Sequence, residues 1–375
     1  MNVMKLKMVA FAVLTLTASC GKPNNTPQFS ALQEEWDRRN DPRQLQRAYE
    51  HHFANLPTVG TADRIPWPDT YWPSREGGLA ARWNGESSDD SWNYELFSEE
   101  KVKALSHEDL DKLSPAEKYD IFIGNYEYEF VKYERQRTKP DDEGWFGLCH
   151  GWAPAAIAFK EPAPISLKGP SGIEVPFGSS DIKALLTFAQ QHAREWGSSQ
   201  TLGGRCNKKI YEDPDAAKLP ECRDTNAGSF HIVLANQLGL DRKAFVADVH
   251  RDFQVWNQPI YGFETKVIEE SDNVYEGAAP GTVKIVRVET RMKYVVESSA
   301  QYQKLVTDPD SFRHFSSRTY NYSLELNADG KIAGGEWADI EHDRPDFLWV
   351  QTPAPLQGYF ANLRQIYEAA TTENH

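Results

Sequence analysis

The sequence predicts an α+β fold, with a helical N-terminal half and a C-terminal half that is mainly antiparallel sheet. Two observations lead there. Helix-start signals followed by apolar residues at helical spacing fall before residue 200, whereas β-branched runs separated by glycine-containing turns fill the stretch from 245 to 327. The chain has 375 residues, enough for one large domain with an ample core. Its 11 Trp, 16 Tyr and 18 Phe exclude a disordered chain.

Residues 1–19 read as a secretory signal, with Lys5 and Lys7 as the basic region and Met8 to Thr17 as an apolar run too short to span a bilayer. The ending Leu16-Thr17-Ala18-Ser19-Cys20-Gly21 is similar to a bacterial lipobox, so lipid attachment is expected at Cys20. Residues 20–29 form a polar tether, and one catalytic domain is expected over 30–375. The protein is thus expected to be exported, either membrane-anchored (the outer membrane of a bacterium) or secreted. The alternative at Cys20 is an ordinary cleavage site near Ser19. Formal charge is −14, and no basic stripe offsets it, so nucleic acid is excluded as a partner.

A helix is expected from Ser30 to about Ala54 on the stripe Leu32, Trp36, Leu45 and Tyr49. Residues 55–95 read as an extended segment with aromatic anchors, because Pro66, Pro68 and Pro73 forbid a helix; a peptide-binding wall is the functional alternative. Ser106 and Ser114 are N-caps, and Ser114-Pro115-Ala116-Glu117 has the form of a capping box, predicting a helix to about Arg135. Residues 160–178 are loop and short strand, and Ser180-Asp181 caps a helix running to Trp196. Gly228 to Asn236 is ambiguous between helix and strand. Strands follow at 245–249, near 259–269, 283–297 and 318–327, with hairpin turns at Gly277–Gly281 and Asn327–Gly330, and a closing helix near 355–370.

Four cysteines sort by position. Cys20 belongs to the lipobox. Cys206 and Cys222 lie in a polar, Pro- and Gly-punctuated excursion and, in an exported protein, read as a disulfide. Cys149 is left over. It follows Gly147 at the junction of a turn and a helix, where unpaired N–H groups and the helix dipole favour a thiolate and can hold an oxyanion. Phosphate loops, a GxSxG elbow, HExxH and CxxC pairs are absent from the sequence, which leaves a cysteine nucleophile as the chemistry to test.

A nucleophilic thiol needs a base and a group to orient it. His150 is set aside because adjacent side chains diverge. His231 is the best candidate base, with Asp248 as orienter and Asp252 as its alternative; His314 is the runner-up base. The opposing reading of Cys149 and His231 is a buried structural thiol and a hydrogen-bonded core histidine.

Gly147-Leu148-Cys149-His150-Gly151-Trp152-Ala153 with Gly228-Ser229-Phe230-His231 resembles the transglutaminase elicitor family of oomycetes and marine bacteria. Val255-Trp256-Asn257-Gln258-Pro259-Ile260-Tyr261-Gly262-Phe263 resembles the surface peptide of the oomycete enzymes, and Trp67 to Pro73, Leu113 to Asp120, Gly334 to Trp337 and Pro345 to Trp349 are also similar. The resemblance implies a papain-like, transglutaminase-type core and protein-glutamine γ-glutamyltransferase activity. It matches Cys149 to the nucleophile and His231 and Asp248 to the base and orienter. Position 261 is tyrosine and 264 is glutamate where the oomycete peptide is more basic, so its role here is expected to be structural: Trp256 packing, Asn257 and Gln258 satisfying backbone groups.

The expected reaction joins protein glutamine to protein lysine through a Cys149 thioester, or deamidates glutamine, with the Cys149 N–H and the Trp145 indole as oxyanion donors. A papain-like protease or amidase is the enzymatic alternative, and a non-catalytic surface-binding lipoprotein the other. Calcium dependence is implied for some members, but the acidic clusters at Asp141-Asp142-Glu143, Asp213/Asp215 and Asp308/Asp310 have no EF-hand pattern, so no metal ligand is assigned.

Overall fold

The computed structural model describes residues 36–46, 48–83, 92–193, 199–206, 208, 215, 219, 222, 224–249, 254–305, 314–338 and 344–372. The signal, Cys20, the tether, Asp252, Asp213, Asp308 and Asp310 lie outside them. The architecture is mixed α and antiparallel β. Among the described residues no helix is long and apolar enough to cross a membrane.

The expected helix over 30–54 is not formed in its described part. Asp41 caps a 3-10 turn at Pro42–Gln44, and a second turn spans Phe53–Asn55. Pro42 is the cause: it excludes the helical conformation from the residue before it and donates no backbone hydrogen bond. A short strand, β1 (Val59–Thr61), follows. The proline-rich segment then runs extended. Trp67 is buried, its indole donating to Phe159 O at 3.1 Å.

Serines start the next three helices: Ser98 caps α1 (Glu99–Lys103), Ser106 caps α2 (His107–Asp111), and Ser114 forms the complete capping box of α3 (Pro115–Ile123). The single helix expected to Arg135 is two helices. Gly124, at φ 78°, ends α3 in the left-handed conformation, and α4 (Glu129–Arg137) restarts after Tyr128. The buried Asp120 carboxylate accepts from the backbone N–H of Phe130 and Val131, both at 3.2 Å, serving as the cap that α4 lacks locally.

Helix α5 (Cys149–Ala158) begins at the cysteine. A hairpin of β2 (Ile165–Lys168) and β3 (Glu174–Phe177) leads to α6 (Ser179–His192), where Asp181 accepts from Gly178 N at 2.7 Å. Helices α5 and α6 pack closely at Gly151, where an added Cβ would meet Thr187 O at 2.5 Å. Two fully buried lysines tie this layer together: Lys118 to Asp181 and Lys183 to Glu161, each at 2.6 Å. Lys183 also donates to Pro68 O, which pins the proline-rich segment to α6.

After β4 (Ser199–Gly203), Cys206 and Cys222 are joined as a disulfide, as expected. The ambiguous stretch is helix α7 (Ala227–Leu234), capped by Asn226 and prolonged by a π-helical segment, Ala235–Leu240. Strands β5 (Phe245–Asp248), β6 (Asn257–Ser271), β7 (Thr282–Val295), β8 (Phe315–Asn327), β9 (Ile332–Trp337) and β10 (Phe347–Gln351) precede α8 (Ala361–Thr371). The sheet is antiparallel in the order β4-β10-β5-β6-β7-β8-β9, with β1 on the edge of β6 beyond β5. A bulge at Tyr261 lets β6 pass from one partner set to the other.

Candidate active site

Cys149 is the first residue of α5, 7% exposed, and the free thiol among the described residues. It lines a cleft of about 850 Å3 together with Trp145, Phe146, His150, Gln191, Asn257 and Trp349. The preceding turn is fixed from behind. Leu148 N donates to Tyr71 O at 2.6 Å, and Gly147 lies so close to Tyr71 that an added Cβ would come within 2.5 Å of that oxygen. Trp152, one turn further on, is fully buried.

Two polar groups meet Sγ: it donates to Val255 O, and Asn257 Nδ2 donates to it, each at 3.7 Å. Asn257 is itself held by Trp349, whose Nε1 donates to Asn257 Oδ1 at 2.8 Å. Burial pushes the thiol up to about 11, opposed by its contacts with Asn257; the nearby Glu297 and Asp248 charges act in the same direction as burial. Burial thus favours the protonated thiol.

Asp248 is fully buried at the end of β5, directly opposite Asn257, and its Oδ1 accepts from Trp256 N at 3.2 Å. The structure thus brings Cys149, Asn257 and Asp248 to one place. Trp145 lines the same cleft, its ring edge-on to Phe146.

His231 does not join them. It is on α7, which packs against β8 and β9. Its Nδ1 shares a 2.8 Å hydrogen bond with Tyr322 OH, which continues to Thr290 at 2.7 Å and Thr265 at 2.8 Å. Strand register places it away from the Asn257 face. Side chains alternate along a strand. Val246, Asp248, Asn257 and Trp349 share one face through the pairs Asp248–Asn257 and Trp349–Val246. Ile260, three residues after Asn257, is on the other face and pairs with Tyr294; Met292, Thr290 and Val288 follow on that face, and Val288 pairs with Tyr322. His231 and Cys149 are therefore on opposite faces of the sheet. Burial alone pulls His231 down to about 4, so it is a neutral core histidine. His314 directly precedes β8, its carbonyl accepting from Val296 N.

Asn257 and Gln258 were expected to satisfy backbone groups. Instead Asn257 contacts the thiol, and Gln258 Nε2 donates to Glu297 Oε1 at 2.9 Å. Trp256 packs edge-on against Tyr71, with ring centroids 6.0 Å apart. Among the described residues no group of three or more His, Cys, Asp or Glu side chains is placed to hold a metal ion.

The fold is similar to the crystal structure of the GP42 transglutaminase from Phytophthora sojae, with a TM-score of 0.62 and 24% identity over 86% of this chain and 94% of that one. No curated protein matches the sequence. The transglutaminase elicitor family profile matches residues 142–369, more than half the chain and spanning Cys149, Asp248 and Asn257. The chain belongs to the transglutaminase elicitor family.

Proposed function

We propose that this protein is a protein-glutamine γ-glutamyltransferase with Cys149 as nucleophile. The observation that carries the reading is a free thiol at the first residue of a helix, opening on a cleft and contacted by an amide that a tryptophan holds in place. Cys149 Sγ attacks the γ-carboxamide carbon of a glutamine, and the oxyanion is held at the N-terminus of α5, with the Trp145 indole as a second donor. The C–N bond breaks and ammonia leaves with the thiol proton. A lysine amine then attacks the thioester to give an isopeptide bond; water gives glutamate.

The proton relay belongs to the Cys149 face of the sheet. Asp248 and His150 are ionisable groups there, and Asp248→Asn and His150→Gln, tested singly, assign it. The substrates are proteins with accessible glutamine and lysine. Membrane anchoring through Cys20 follows from the lipobox, and lipid labelling that is lost in Cys20→Ala supports it.

Incorporation of a fluorescent primary amine into casein tests the activity. Wild type incorporates the amine and releases ammonia, and Cys149→Ala does neither. Equal incorporation by Cys149→Ala ends the reading, and peptide cleavage without amine incorporation turns it into a thiol protease.

A further inference from the structure

A second cleft, of about 470 Å3, is lined by Tyr71, Trp72, Trp83, Glu76, Arg82 and Glu297. Tyr71, in its wall, lies against Gly147, which lines the Cys149 cleft. The Tyr71 hydroxyl donates to Gly144 O at 2.6 Å, its ring packs against Trp256, and its backbone oxygen holds Leu148 N. Trp72 follows at φ 52°, a left-handed backbone that a bulky residue adopts only where its surroundings enforce it.

The two clefts differ in charge. Lys139 and Arg205 line the Cys149 cleft with Asp142, and Arg137 there is bound to Glu134. The second cleft carries Glu76 and Glu297, and its one cation, Arg82, is bound to Glu117. Glu297 is also joined to the catalytic strand: Gln258, adjacent to Asn257, donates to it, and its carboxylate lies within electrostatic reach of the Cys149 thiol.

Glutamine transfer has two substrates of different charge. The donor carboxamide is neutral, and its peptide stays on Sγ when the acceptor arrives. The acceptor approaches as an ammonium, which a cationic cleft repels and a carboxylate among aromatic faces attracts. Resting on the transferase reading above, we propose that the cleft between Tyr71, Trp83 and Glu297 is the acceptor site, binding a lysine side chain or another primary alkylammonium, while the glutamine peptide occupies the cationic cleft. Glu297 holds the ammonium and takes one proton from it. The amine nitrogen attacks the thioester carbon, the C–S bond breaks, and the departing sulfur takes up the second nitrogen-bound proton as the amide forms.

The test compares two nucleophiles on one glutamine peptide: Nα-acetyl-lysine methylamide, a cation, and hydroxylamine, uncharged at neutral pH. Glu297→Gln is expected to raise KM for the lysine compound at least about tenfold. Hydroxamate formation, whose nucleophile carries no charge, falls by a smaller factor than the lysine reaction. Glu76→Gln, at an exposed position, gives a smaller change in the same direction, and Glu297→Asp restores part of the loss. An unchanged lysine KM in both Gln variants, or equal losses with both nucleophiles, overturns the proposal while leaving the transferase intact. A wild type that releases no ammonia from glutamine overturns the transferase reading and the acceptor site with it.

Discussion

Trp349 aims Asn257 at the thiol. The indole nitrogen donates to Asn257 Oδ1 at 2.8 Å, which leaves Nδ2 directed at Cys149 Sγ, 3.7 Å away. An amide can turn over and present oxygen instead of nitrogen; a donor fixed on the oxygen forbids this. Asn257→Ala is expected to lower kcat at least about tenfold, and Trp349→Phe, which removes one hydrogen bond worth about 1 kcal/mol, about fivefold. Amine-incorporation kinetics check both, and equal activity in the two variants and wild type rejects the role.

Histidine 231 lies across the sheet from the chemistry, so His231→Gln is expected to keep amine incorporation within about threefold of wild type. Its effect falls on stability. The folded histidine titrates near 4 against an ordinary 6.5. Between those values the unfolded chain binds the proton and the folded one does not, so stability is complete above 6.5 and is lost as pH falls toward 4, on the order of 3 kcal/mol. Urea unfolding across that range should show a shallower decline in the Gln variant.

Burial holds the Cys149 proton to about 11 from an ordinary 9. Iodoacetamide should therefore react slowly at neutral pH, with a rate rising about tenfold per pH unit toward that value. The same shift destabilises the fold in alkali: stability is intact below 9 and declines as pH rises toward 11, because the unfolded thiol ionises first. A rate already flat at neutral pH would mean that the resting group is a thiolate.

At Gly147 an added Cβ would come within 2.5 Å of Tyr71 O and 2.6 Å of its ring. Backbone oxygen cannot swing aside, so Gly147→Ala should displace the turn before α5, cost roughly 1–3 kcal/mol, and lower kcat more than tenfold. Thermal unfolding and amine incorporation measured together separate this from general unfolding. Wild-type activity in the variant would show that the Tyr71 contact does not set the position of Cys149.

Local signals carried the helices well where they were chemical. Ser106 and Ser114 each cap the helix that follows, and the leftover cysteine is the thiol in the cleft. Two interruptions were visible but outweighed by apolar spacing: Pro42 and Gly124. The position of His231 was not legible. Whether a residue faces a thiol across a sheet depends on counting side-chain alternation through several strands, and the bulge at Tyr261 changes the count. Asn257 was recognised as part of a motif, but its contact with Sγ depends on Trp349, which is 92 residues away in sequence.

Tyr71 has a practical consequence. The family profile begins at residue 142, yet the oxygen that anchors Leu148 lies well upstream. Trp67, Pro68 and β1 are likewise upstream, and all are bound to residues inside the matched region. A recombinant fragment cut at the profile boundary would leave the nucleophile without its backing. The structural unit around Cys149 is larger than the matched region, and homologues aligned on that region alone can diverge in the wall beside the cysteine without any mark of it in the alignment.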